Sequence, residues 1–182
     1  SDVYKRQGIA IADVLFGDFN PAGRLPFSVP RSVGQIPLYY NKKAPQSHDY
    51  VEMSASPLYP FGYGLSYTSF DYSDLHLSAL MPRSFEISFK VRNTGKYDGE
   101  EVAQLYLRDE YASVVQPLKQ LKHFARFYLK RGEEREVKFI LSEEDFSLVD
   151  RNLKKIVEPG TFQIMIGAAS NDIRLQTKVE IK

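Results

Sequence analysis

The sequence predicts a mainly-β chain, an antiparallel β-sandwich preceded by a short helical piece with no core of its own. Three observations carry this prediction. From residue 71 onward, apolar and polar residues alternate in short runs bounded by turn residues, the signature of half-buried strands. Before that, Gly8 to Phe16 has helical spacing, with Ile9, Ala12, Leu15 and Phe16 recurring on one side. Between the two lies Pro57–Phe70, which has neither period and instead alternates large rings with Pro and Gly. A solvated linker would be polar, so this stretch reads as a packed connector.

Taken in order, residues 1–7 are polar and remain unassigned, reading as a foreign join. The helix over Gly8–Phe16 stops at Gly17, and Asp18-Phe19-Asn20-Pro21-Ala22-Gly23 is a turn cluster. Arg24–Pro30 is a short extended segment confined by its prolines to an edge. One helix and one such segment cannot bury their own apolar faces, so Ile9, Leu15 and Phe16 need a sheet from elsewhere. Arg31–Ser56 is a long polar connection containing several tyrosines.

The first strand is expected near Ser73–Ala79. Phe85, Ile87, Phe89 and Val91 then alternate with charged and polar residues. Over Glu101–Asp109, Ala103, Leu105 and Leu107 share one face, with Val102, Gln104 and Tyr106 on the other. Leu121, Ala125, Phe127 and Leu129 are assigned a common face, and Val137, Phe139 and Leu141 follow the Arg131-Gly132 turn. Ser142 with Asp145 three residues later predicts one capped helical turn. Phe162, Ile164 and Ile166, then Ile173, Leu175, Val179 and Ile181, complete about seven strands, which suits a sandwich of the immunoglobulin or fibronectin-III type.

Composition excludes several function classes. With 24 basic and 23 acidic residues interspersed, nothing favours nucleic acid or an anionic membrane as a partner. There is no cysteine, hence no disulfide, thiolate metal site or cysteine nucleophile, and no apolar run long enough for a membrane span. No Gly-x-Ser-x-Gly elbow, phosphate-binding glycine loop or metal-ligand spacing occurs, so no cofactor is expected.

Two strings are specific. Pro57-Leu58-Tyr59-Pro60-Phe61-Gly62-Tyr63-Gly64-Leu65-Ser66-Tyr67-Thr68, and before it Ile11–Pro26 with Asn20-Pro21-Ala22-Gly23-Arg24-Leu25-Pro26, resemble the C-terminal part of glycoside hydrolase family 3. Val91–Gly95, Gly99–Leu107, Pro117–Phe124 and Phe162–Gly167 continue the resemblance in order. The resemblance implies that residues 8–56 are the end of an α/β-sandwich domain with a connecting loop. It makes 57–70 the aromatic junction and 71–182 a fibronectin-III-like domain. It implies β-glucosidase or β-xylosidase activity with retention in the whole parent, carried by an Asp and a Glu upstream of Gly8. This part would then brace the catalytic domains of its own parent chain, reach β-linked oligosaccharide through that parent, and admit a homodimer. A periplasmic or extracellular location is likewise implied. The alternative is a standalone β-sandwich module that binds carbohydrate or a protein partner.

No catalytic residue is assigned within the chain. Glycoside hydrolysis needs two carboxyl groups flanking one bond, whereas Glu100-Glu101 and Glu133-Glu134 are strand neighbours that point to opposite faces. Asp13 and Asp18 read as helix-surface and turn residues. His48, Asp49 and Glu52 lack any metal or general-base spacing, and His76 and His123 stand alone in strands. Tyr97, Tyr106, Tyr111 and Tyr128 are the candidates for stacking on a sugar ring, weighed against the ordinary preference of Tyr for strands.

Overall fold

The computed structural model describes residues 2–43, 49 and 51–182, with side chains from Gln7 onward. Among the described residues a helix, α1 (Asp2–Phe16), is followed by nine strands: β1 (Phe70–Met81), β2 (Ser84–Asn93), β3 (Gly99–Asp109), β4 (Gln120–Leu129), β5 (Glu134–Leu141), β6 (Leu148–Val149), β7 (Lys155–Ile156), β8 (Gly160–Ala169) and β9 (Asp172–Ile181). They form a three-stranded sheet ordered β1-β2-β5, a four-stranded sheet ordered β4-β3-β8-β9, and a small β6-β7 ribbon. Every pairing is antiparallel. This is the predicted two-sheet sandwich, with the first strand extending beyond its expected ends.

The strand alternation becomes the core. Phe85, Ile87 and Phe89 face Leu141, Phe139 and Val137 across the β2–β5 ladder. Ile87, Phe89, Phe139 and Leu141 then close against Ala103, Leu105, Leu107, Ile164 and Ile166 of the second sheet. The predicted cap is present: the Asp145 carboxylate accepts from the Ser142 backbone N–H at 2.8 Å and from its hydroxyl at 3.0 Å. The turn it starts sets Phe146 edge-on to Phe85 and Phe162.

Three details differ from the sequence reading. α1 begins at Asp2 and runs through Gly8, so the helix includes most of the stretch left unassigned. On β4, Leu105 pairs with His123 but Tyr106 with Leu121, leaving Lys122 as the extra residue of a bulge. Leu121 therefore leaves the face of Ala125 and Phe127 and joins that of Tyr106. The third difference is on β3, where residues 101–107 are all buried, on both faces. Its inner face packs in the core, and its outer face is covered by the segment that precedes the sandwich.

That covering is built from backbone pairing. The Arg24–Pro30 segment runs antiparallel to the aromatic junction: Leu25 N–H donates to Tyr63 O and Gly62 N–H to Leu25 O, both at 2.8 Å. Val29 and Leu58 repeat the exchange at 2.8 Å, with Val29 N–H donating to Tyr59 O and Leu58 N–H to Val29 O. The long connection is clasped by Gln35, buried within it, whose amide donates to Ser54 O at 2.9 Å.

Candidate functional site

The contact between the leading segment and the sandwich gathers most of the buried polar chemistry in the chain. The first element is Arg24, which comes off the Asn-Pro-Ala-Gly turn and reaches the end of the sandwich, where its guanidinium pairs with Glu101. The Glu101 side chain is only 2% exposed and that of Arg24 15%. The carboxylate also accepts from Val102 N–H at 2.8 Å. Gly64 makes room, because a Cβ there would lie 2.2 Å from Gly23 O and 2.9 Å from Arg24 Cδ.

Beside this pair, Arg174 lies 4.8 Å above the Tyr72 ring and donates to Phe70 O at 2.5 Å. Burial, reinforced by the Glu101 charge, pushes the Tyr72 phenol far up.

Asn20 is the second staple. Its carbonyl oxygen accepts from Tyr67 N–H at 2.8 Å and from the Ser66 hydroxyl at 3.1 Å, and its NH2 donates to Asp98 O at 2.9 Å. One side chain thus joins the turn, the junction and the β2–β3 connection. Tyr67 adds a bond from its hydroxyl to Val14 O at 2.6 Å, which fixes the end of α1.

The third staple lies on the outer face of β3. Gln104 donates to Ala168 O at 2.6 Å and to Gly62 O at 3.2 Å, and it accepts from the Tyr106 hydroxyl at 2.5 Å. Gly62 has φ +79°, and a Cβ on it would sit 2.2 Å from Gln104 Oε1. Phe61 stacks on Tyr40 at 4.0 Å, and Tyr40 meets Tyr106 edge-on at 6.4 Å. Burial pushes the Tyr106 phenol up.

The candidates from sequence fall into place around this contact. Glu100 and Glu101 do point apart: Glu100 pairs with Arg126 on the outer side, while Glu101 is consumed by Arg24. Glu133 accepts from Lys130 N–H at 2.7 Å in its turn, and Glu134 lies 3.7 Å from Lys90. Asp18 is exposed and Asp13 half-buried on α1. His48 lies outside the described residues; Asp49 accepts from Ala55 N–H at 2.8 Å, and Glu52 is exposed. His76 is exposed on β1, whereas His123 is 3.3 Å from Asp145 and packs against Phe139. Among the described residues no group of three His, Cys, Asp or Glu could hold a metal ion, and no helix is long and apolar enough to cross a membrane.

The four tyrosines separate. Tyr106 is fully buried and is no surface platform, because the covering junction turns the outer face of β3 into interior. Tyr111 stands alone at 82% exposure. Tyr97 and Tyr128 come together, with Tyr67, in a groove of about 940 Å³ between the end of α1 and the open end of the β3–β4 pair. Sequence reasoning missed Arg24, Asn20 and Gln104. The available signal was Glu101 and Gln104 themselves, polar residues inside a strand whose neighbours are apolar on both faces.

The comparisons with known proteins fit this geometry. Residues 4–67 match the family model described as the glycosyl hydrolase family 3 C-terminal domain, and residues 101–170 match the fibronectin type III-like domain. Residues 4–7, left unassigned from sequence, lie within the first match. A β-xylosidase of Formosa agariphila is 45% identical over 179 residues, covering 94% of this chain and 25% of that protein. A periplasmic β-glucosidase of Salmonella typhimurium is 46% identical over 181 residues, covering 92% of this chain and 24% of that protein. The solved structure of a β-glucosidase from Erythrobacter marinus superposes with a TM-score of 0.89 at 42% identity, over 95% of this chain and 23% of that one. The chain thus spans about a quarter of the length of the curated relatives it matches. It belongs to glycoside hydrolase family 3 and corresponds to the C-terminal portion of those enzymes, with the fibronectin type III-like domain at its end.

Proposed function

We propose that this chain is the non-catalytic C-terminal portion of a β-glycosidase that hydrolyses terminal β-linked sugars with retention, and that it braces the catalytic portion. One observation carries this reading. The leading segment is welded to the sandwich through Arg24, Asn20 and Gln104, yet α1 leaves Ile9, Ile11, Leu15 and Phe16 exposed, at 59–85%. An aliphatic helix face rigidly presented by a sandwich is suited to receive another packed layer, and a free module would gain nothing by exposing it. The acids support the same view, since Glu100 pairs with Arg126 while Glu101 is buried against Arg24, and Glu133 accepts from the Lys130 N–H while Glu134 lies beside Lys90, so neither pair is arranged as two carboxyl groups flanking one bond.

The test combines this chain with the Salmonella β-glucosidase shortened by the quarter that matches it. Hydrolysis of aryl β-glucosides and aryl β-xylosides is followed for each part alone and for the mixture. The chain alone is expected to be inactive and the mixture to recover activity through a stable complex. Hydrolysis by the chain alone, or failure of the two parts to associate, overturns the reading.

A further inference from the structure

The exposed flank of α1 does not stop at the end of the helix. Leu15 and Phe16, in its last turn, are 72% and 85% exposed and line one side of the groove of about 940 Å³, where Phe19 joins them. The other side belongs to the junction and the sandwich, with Tyr67, Tyr97 and Tyr128. Among the described residues no aromatic ring stacks on these three tyrosines and no cation lies over them, so their faces are open. Their positions are nevertheless fixed. The Tyr128 hydroxyl donates to Asp98 at 2.8 Å and that of Tyr67 to Val14 O at 2.6 Å, while the Tyr97 carbonyl accepts from the fully buried Asn93 at 2.8 Å. A contiguous apolar face that passes from the helix onto the sandwich marks a site of protein contact, and rings held at their edges lose little freedom when a partner stacks on them.

The charges in the groove say what kind of segment fits. Glu100 and Arg126 neutralise each other. Asp18 and Asp98 also line the groove, and neither has an ion-pair partner among the described residues. The two groups that donate to the Asp98 carboxylate, the Arg131 N–H and the Tyr128 hydroxyl, are neutral and leave its charge in place. The groove therefore combines open tyrosine faces with an excess of negative charge. A guanidinium satisfies both at once, because its plane stacks on a ring while its N–H groups donate in-plane to carboxylates. A second copy of this chain, docked face to face, would bring the same excess of negative charge and is disfavoured. About three quarters of each relative lies outside the part matched by this chain, which leaves ample protein to supply such a segment.

We infer that the groove receives an arginine-bearing apolar segment from the upstream portion of the parent chain, so that the covering layer extends from α1 onto the sandwich itself. The apolar part of that segment packs on Leu15, Phe16 and Phe19. Its guanidinium stacks on the tyrosines and pairs with Asp18 and Asp98. The identity of the partner rests on the reading of this chain as one portion of a larger β-glycosidase; the chemistry of the segment rests on the groove.

The test titrates the full 182-residue chain with the shortened Salmonella enzyme and reads affinity, hydrolysis and side-chain footprints together. In the complex Phe16, Tyr97 and Tyr128 should lose reactivity toward hydroxyl radicals, while Tyr111, outside the groove, keeps it. At least one arginine of the shortened enzyme should be shielded from phenylglyoxal. The side chains of Asp18 and Tyr97 make no hydrogen bond or ion pair among the described residues, so substitutions there leave the fold of the chain intact. Tyr97→Ala should raise Kd about tenfold or more, as for truncation of an aromatic anchor. Asp18→Asn should raise it about fivefold and flatten its dependence on salt, and Asp18→Lys should raise it further. Glu136→Gln, which removes an exposed acid on the other sheet, should leave it unchanged. Association with recovered hydrolysis but unaltered footprints, or with Tyr97→Ala binding as tightly as the unaltered chain, overturns the inference and leaves bracing standing. Weakening by Tyr97→Ala alone, with both Asp18 variants unchanged or no arginine shielded, means an apolar occupant without a guanidinium and also overturns it. Failure of the two parts to associate overturns both the inference and bracing.

Discussion

Replacing Arg24 with Met tests whether the buried ion pair holds the leading segment onto the sandwich. The substitution removes the guanidinium and keeps a flexible apolar stem. Among the described residues it leaves Glu101, 2% exposed, with the Val102 N–H as its one hydrogen-bond partner. Breaking a buried pair by deleting one member costs about 3–5 kcal/mol, because the survivor's desolvation is no longer offset. Arg24 itself keeps some contact with water at 15% exposure, so the lower end, about 3 kcal/mol, applies here. With a urea m-value of about 3 kcal/mol/M for a chain of this size, the midpoint should fall by about 1 M.

Hydrogen exchange locates the loss. Leu25 and Val29 amides, bonded to Tyr63 O and Tyr59 O, should lose protection before the β2 and β5 amides do. The double variant Arg24→Met/Glu101→Leu replaces the pair by apolar groups of similar volume and should recover most of the midpoint. A fall below about 0.3 M for Arg24→Met, or a double variant no better than the single, refutes the account.

Gly62→Ala should cost about 2 kcal/mol or more in urea unfolding, since a left-handed φ of +79° is joined by a Cβ 2.2 Å from Gln104 Oε1. Gly17→Ala, at φ +87° with nothing within 4 Å, should cost only the conformational share, about 1 kcal/mol; equal losses at both sites would refute the clash. Asp109 has its carboxyl pushed up, first by burial and then by the Glu158 charge. Its folded-state pKa therefore lies above the unfolded value, and its stabilising contribution is present in acid and lost as pH rises through the folded pKa. Asp109→Asn should accordingly raise Tm at pH 7, with the gain vanishing below the ordinary carboxylate pKa of about 3.9; a gain that persists in acid refutes this assignment. Asp98 is held below the usual carboxylate range, mainly by the Arg131 N–H at 2.8 Å and then by the Tyr128 hydroxyl. Tyr128→Phe should move its titration, followed by carbon-detected NMR, part of the way back up; an unmoved Asp98 would mean that the hydroxyl does not hold it.

What could be read from sequence was whatever one strand or turn decides by itself. The alternation in β2 and β5 dictates which side chains enter the core, and Ser142 with Asp145 dictates a cap, because the interacting groups are neighbours along the chain. The junction was legible for a related reason: so many rings set between Pro and Gly disfavour a solvated linker, so packing could be expected without knowing the partner. The partner itself was not legible. Arg24 and Glu101 are 77 residues apart, and no period links them. The same gap explains Tyr106. Alternation correctly set it beside Gln104 on the outer face of β3, but whether an outer face meets solvent depends on what lies over it. Here Phe61 and Tyr40 lie over it, so a ring that looked available for sugar is interior. Tyr128 obeys the same alternation two strand ends away, at the rim where the covering segment stops, and its ring is open. The edge of the docked segment thus divides the outer face of this sheet in two. Beneath the segment, Gln104 ties that face to Gly62 and Ala168; beyond it, Glu100 and Arg126 pair with each other at the surface.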